Sequence, residues 1–275
     1  MNISGVSHSL RIGGLLTAVA IGAAACGSSS GATKADSNTV PTPSTSSTPG
    51  AGDPSATPTP SLPVGCHGGV AHDVDSTLAI LTDPAICPGS VNAYWKSQLG
   101  DKWTEPVFIP YRDGEVPQDA CGTAGSNPDS FADNAFYCPK DDTIAYSRDL
   151  LNSLYKSGGP YLPVVILEHE LGHRAAQLGG YVGVILRSEE NQADCSAGVT
   201  TAYARTAHRL PFSDVIGAAR VLYKFGDKRN FGNEIALSTN AHGTPAQRVI
   251  AFGRGYFQNL DACKSLGQAP TGSVA

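Results

Sequence analysis

The stretch "LPVVILEHELGHRAAQLGG", Leu162 to Gly180, constrains the fold more than any other part of the chain. Pro163 suits the first turn of a helix, and Gly179–Gly180 suits its end. Between them Val164, Val165, Ile166, Leu167 and Leu171 cover most of the circumference, so the helix must lie in the interior with the domain built around it. That helix also carries His169, Glu170 and His173 into the interior. Polar groups in such surroundings need partners, and imidazoles beside a carboxylate point to a particular kind of partner.

His169 and His173 stand one helical turn apart on one face, so two ring nitrogens can converge on a single ion. Glu170 points alongside that ion, where it can take a proton from a metal-activated water and pass it to a leaving amine. Two histidines and a base are incomplete, because a catalytic zinc site needs a third protein ligand and an open position. A third histidine six residues on is absent, since Gly179 stands there. The following segment, "SEENQADCSAGVTTAYARTA" (Ser188 to Ala207), reads as a helix with a serine cap and early acids. It offers Glu190 as the third ligand. Asp194, one turn on, can accept a hydrogen bond from the far nitrogen of a ligating histidine. Glu189 competes for the ligand role, and Asp194 as direct ligand is the other rival. The expected cofactor is one Zn2+ per chain. For the oxyanion, His242 in "NAHGTPAQR" is the first choice, ahead of His208, Tyr203, Arg248 and Tyr256.

Residues 1–25 read as an export signal: Arg11, then the apolar run from Ile12 to Ala25. Small residues directly before Cys26 suggest a lipidated cysteine and a membrane anchor on the extracytoplasmic face, with plain secretion as the alternative. Residues 26–63 then form a Pro/Ser/Thr-rich linker that lacks the apolar side chains to support a core. From Val64 to Ala275, roughly 210 residues suffice for one domain. Setting Cys26 aside, six cysteines remain, an even number that in an exported chain argues for disulfides. The simplest sequential pairing is Cys66–Cys87, Cys121–Cys138 and Cys195–Cys263. No CxxC occurs, which argues against a thiolate metal site.

Within the domain, Pro88 to Gly100 suggests a helix capped by Ser90. Glu105–Tyr111 and Asn134–Ser147 suggest strands, the latter broken by a turn at Pro139–Asp142. Helices follow at "RDLLNSLYKSGG", the two segments above, "SDVIGAARVLYKFG", and "TPAQRVIAFGRGYFQNL" with Thr244 as cap and Gln247 completing a capping box. A small sheet followed by several helices makes an α+β domain. The net charge of −5 and the absence of a dense Lys/Arg run leave no electrostatic footprint for nucleic acid.

These segments together resemble the neutral zinc metallopeptidases of bacteria. "CGTAGSNPDSFADNAFYCPKDDTIAYS", "VVILEHELGHRAAQ", "ENQADCSAG" and "HGTPAQRVIAFGRGYFQNLDAC" carry the likeness, which covers most of Trp95 to Cys263. The resemblance implies a zincin-like, mainly helical domain in an exported or membrane-anchored peptidase, with His169, His173 and Glu190 as ligands and Glu170 as base. The resemblance says little about substrates; the tethering linker suggests peptides or proteins of the cell envelope. Two departures stand out: Arg174 occupies a position where many relatives carry another histidine, and "SEENQADC" is more polar than the usual "LELQADC".

Overall fold

A computed structural model describes residues 62–68, 71–118, 120–228 and 241–274. The export signal, Cys26 and nearly all of the linker lie outside these residues. The described part is mainly helical with one small sheet, and among its residues no helix is long and apolar enough to cross a membrane.

The chain runs α1 (Val74–Leu81), α2 (Val91–Leu99), β1 (Val107–Tyr111), β2 (Ala135–Cys138), β3 (Thr143–Ser147), α3 (Arg148–Gly158), α4 (Tyr161–Gly179), α5 (Leu186–Thr206), α6 (Phe212–Lys224), α7 (Pro245–Phe257) and α8 (Leu260–Gly267). The sheet order is β1-β3-β2. β1 runs parallel to β3, and β2 forms an antiparallel hairpin with it, pairing Tyr137 with Ile144.

As its composition demands, α4 is the interior helix, buried continuously from Tyr161 to Ala176. It starts one residue before Leu162, with Pro160 at its cap, and ends where Gly180 adopts a left-handed conformation at φ 72°. Its neighbours are α3, α5, α6 and β2. α5 is nearly as buried and lies between α4 and α7. Glycines make that arrangement possible. A Cβ on Gly198 would sit 2.0 Å from the Phe252 carbonyl oxygen, and one on Gly255 would sit 1.8 Å from that of Cys195. On the other side, a Cβ on Gly172 would come within 2.9 Å of Ser196 Cβ and 3.0 Å of the Ala193 backbone. Helices in such contact leave no room for even a methyl group between them.

Several cap expectations hold: Ser90 accepts from the Ala93 amide, and Thr244 and Gln247 form a reciprocal box. Ser188 is a correction. α5 begins at Leu186, which puts Ser188 inside the first turn, where its hydroxyl accepts the Ile185 N–H. The sequence reading also missed α1, capped by Asp73 with Ser76 three residues on, and α8, capped by Asn259. Both have only 8 residues, too short for apolar periodicity to stand out.

Three cysteine pairs lie at disulfide distance: Cys66–Cys87, Cys121–Cys138 and Cys195–Cys263, with Cα separations of 5.5, 5.5 and 5.3 Å. The second ties the 112–133 loop to the end of β2, and the third ties α5 to α8.

Candidate metal centre

α4 and α5 bring three side chains to one point. His173 Nε2 lies 3.2 Å from His169 Nε2, His169 Nε2 lies 3.2 Å from a Glu190 carboxylate oxygen, and His173 Nε2 lies 3.6 Å from the other. Of the rival ligands, Glu189 is not part of this cluster, whose members are His169, His173 and Glu190. Asp194 meets His169 on the far side of its ring, with Nδ1 and a carboxylate oxygen 2.7 Å apart. An ionised carboxylate only accepts, so Nδ1 carries a proton toward Asp194 and Nε2 is the nitrogen that faces Glu190 and His173.

The donor set fits a tetrahedral zinc. With bonds of about 2.0–2.2 Å, the edges of such a tetrahedron are about 3.3–3.6 Å, close to the three separations just given. Charge gives the same answer. The Glu190 oxygen Oε2 is buried and makes no hydrogen bond of good geometry, although it lies 3.2 Å from His169 Nε2. Glu170 is also buried, and Asp194 is paired with Arg248 as well as with His169. A buried Glu190 carboxylate between two buried imidazoles is a setting that a bound cation would stabilise.

The titration of the groups follows that field. Burial works against an imidazolium at His169, yet the charge and hydrogen bond of Asp194, and then Glu190, push its pKa up to about 10. Burial works against ionised Glu190, but the adjoining His169 and the nearby His173 and His242 hold it well below the usual carboxylate range. Asp194 is likewise held low against burial, first by the Arg248 charge and then by His169. Arg248 is fully buried and grips Asp194 with a fork, Nε to Oδ2 at 2.8 Å and Nη2 to Oδ1 at 2.7 Å.

Glu170, next to His169 on α4, is tied to the sheet. One of its oxygens accepts the Tyr137 backbone N–H from β2 at 2.8 Å. His242 sits half-buried just before α7, its Nδ1 3.5 Å from Asp227. Burial lowers its basicity, but the Asp227 bond and the Glu190 charge raise its pKa to about 9. The Asp227 N–H also donates to the Gly243 carbonyl, and the Asp227 carboxylate accepts the Gly243 N–H, which fixes the His242 loop.

The other oxyanion candidates lie elsewhere or, in the case of Arg248, are already engaged at the centre. His208 lines a separate cavity of about 450 Å³ with Tyr161 and Leu210. Tyr203 packs on Tyr94, Tyr256 stacks on Phe252, and Arg248 is occupied by Asp194. Three hydrogen-bonded acids around the helices of the centre escaped the sequence reading: Asp227, Asp142 and Glu168. Asp227 and Asp142 stand in loops, and no periodic spacing links them to the site. Glu168 is adjacent to His169, but only tertiary packing reveals that Tyr161 and Thr201 hydrogen-bond to it.

Residues 89–266 match the family described as "Putative neutral zinc metallopeptidase", and the chain belongs to that family. Relatives include uncharacterized proteins of Mycobacterium bovis and Mycobacterium tuberculosis. Each is 31% identical over an alignment of 195 positions, with 61% of this chain and 64% of theirs covered. The chain therefore spans less than two thirds of the length of the curated relatives it matches. No solved structure matches it.

Proposed function

We propose that the chain is a zinc-dependent peptidase that hydrolyses peptide bonds outside the cytoplasm while anchored to the membrane by a lipid on Cys26. The reading is carried by the convergence of His169 Nε2, His173 Nε2 and Glu190 within 3.2–3.6 Å of one another, with Glu170 on the same helix turn.

His169, His173 and Glu190 would hold the ion, and zinc bound there supplies Lewis acidity, activating a water near neutral pH and polarising a carbonyl. The chain's own groups do the rest. Glu170, oriented by the Tyr137 N–H, accepts the water's proton and returns it to the leaving amine. Asp194 holds His169 with its proton on Nδ1, which keeps Nε2 free as a donor to the ion. His242, held by Asp227, presents a protonated imidazole toward the negative charge that develops on the carbonyl oxygen. The substrates would be peptides or proteins of the cell envelope, within reach of a domain on a Pro/Ser/Thr-rich tether.

The test uses the full chain with Glu170→Gln prepared in parallel. One zinc per chain and cleavage of a quenched peptide library are expected, with the rate falling at least about 100-fold in the variant while zinc is retained. Zinc without cleavage by either protein would make the chain a catalytically inactive relative that binds an envelope partner. For the anchor, Cys26→Ala should move the protein from the membrane fraction to the soluble one. A wild-type protein already soluble would mean plain secretion.

A further inference from the structure

Arg174 lies on α4 one turn beyond Glu170, so the two side chains leave the helix on the same face. Both are tied to the β2–β3 hairpin. The Arg174 guanidinium is fully buried and forks onto Asp142, Nε to Oδ1 at 2.8 Å and Nη2 to Oδ2 at 2.7 Å. Its remaining donors go to the Thr104 carbonyl and hydroxyl, each at 2.9 Å, and its plane lies 4.4 Å from the centre of the Trp103 ring. Asp142 stands in the hairpin turn in a left-handed conformation, φ 56°, and also accepts the Tyr137 hydroxyl at 3.1 Å. Tyr137 in turn donates its backbone N–H to Glu170 at 2.8 Å. The bonds close a ring from Arg174 through Asp142 and Tyr137 to Glu170, and back along one turn of α4.

Stability alone is a poor account of this ring, because a buried ion pair can often be replaced by apolar side chains at no loss. Geometry gives a better one. Glu170 accepts from an amide of β2, and the bonds among Arg174, Asp142 and Tyr137 tie that same hairpin to α4. A misplacement of about 1 Å in a reacting group can cost on the order of 100-fold in rate. We infer that Arg174 and Asp142 are positioning residues for Glu170, acting through Tyr137 to set where its carboxylate stands. The inference rests on the reading of Glu170 as the general base.

The experiment takes the full-length, zinc-loaded protein and compares Arg174→Gln, Asp142→Asn and Tyr137→Phe, each alone and combined with Glu170→Gln. In the single variants kcat should fall about tenfold or more, with KM changed less than about twofold and zinc content unchanged. In the Glu170→Gln background the same substitutions should leave the residual rate where it was, since a residue that acts through Glu170 has nothing left to position. Hydrogen exchange at the Tyr137 amide should quicken about tenfold or more in Asp142→Asn while the amides of α4 stay protected.

An unchanged kcat in folded Asp142→Asn would overturn the inference. So would a loss that persists undiminished in the Glu170→Gln background. Asp142 is 41% exposed, so its variant carries the test even if Arg174→Gln does not fold. If the wild-type protein binds zinc but cleaves nothing, the peptidase reading fails separately. Exchange at Tyr137 then still decides whether the clamp holds the amide: acceleration supports it, and no change overturns it.

Discussion

His169 and Asp194 face each other across the junction of α4 and α5 through one bond, Nδ1 to Oδ1 at 2.7 Å, and Arg248 grips the same carboxylate from α7. Three helices thus meet on one buried aspartate. The bond dictates which nitrogen of His169 is left to bind a cation, and the guanidinium keeps the aspartate from turning away.

Asp194→Asn should therefore weaken zinc binding by about 10–100-fold without removing any of the three proposed ligands. Competition against a chromophoric chelator measures this. An affinity equal to that of the wild type would mean that the bond orients nothing. The same change leaves Arg248 without a counter-charge, and the folded state should lose about 3–5 kcal/mol in chemical denaturation.

Gly172, in the middle of "HELGH", is where α4 touches α5, and a methyl group there would meet Ser196 and Ala193 at 2.9–3.0 Å. Gly172→Ala should push α5 outward, cost about 1–3 kcal/mol of stability and lower zinc affinity as well. Denaturation and zinc titration on one preparation check both. Lost stability with unaltered affinity would show that Glu190 does not depend on this contact.

The site was legible in the sequence to an uneven degree. His169, Glu170, His173, Glu190 and Asp194 could be picked out because helical spacing puts i and i+4 on one face, and two such pairs fell on consecutive helices. The capping residues Ser90 and Thr244 were legible for the same local reason. Asp227 and Asp142 were not, because each reaches the site from a loop whose path depends on the whole fold. Tyr137 contributes a backbone N–H, which no residue type advertises. The two shortest helices, α1 and α8, passed unseen although Asp73 and Asn259 cap them, since a cap signals a start only when a periodic pattern follows it.

Zinc should also stabilise the fold. At free zinc about 100 times the dissociation constant, mass action adds about 2.7 kcal/mol, and a chelator should remove it. Glu190→Ala should abolish this dependence on added zinc, read as the shift in melting temperature across a zinc titration. A variant that still responds as the wild type does would remove Glu190 from the ligand set.

Glu168 gives the stability a pH dependence of its own. Its carboxyl is fully buried, accepts from Tyr161 at 2.6 Å and Thr201 at 3.0 Å, and has its pKa pushed by burial from 4.5 up to about 8, against those bonds. The folded state thus holds a proton that the unfolded chain releases. Its contribution is fully present below pH 4.5 and is lost as pH rises through about 8. Glu168→Gln, which keeps an acceptor for Tyr161, should flatten that decline. Urea midpoints across the range measure it, and equal slopes in the two proteins would show Glu168 to be ionised in the fold.

The glycines on either side of α5 have a consequence for which ions the protein can accept. Calcium takes six to eight oxygens at about 2.3–2.6 Å, a shell much wider than a tetrahedron. To form it, α5 would have to retreat from α4, and the backbone contacts at Gly198 and Gly255 already press it against α7. Selection of zinc over calcium would thus rest on the spacing of three helices as much as on the choice of histidine and glutamate.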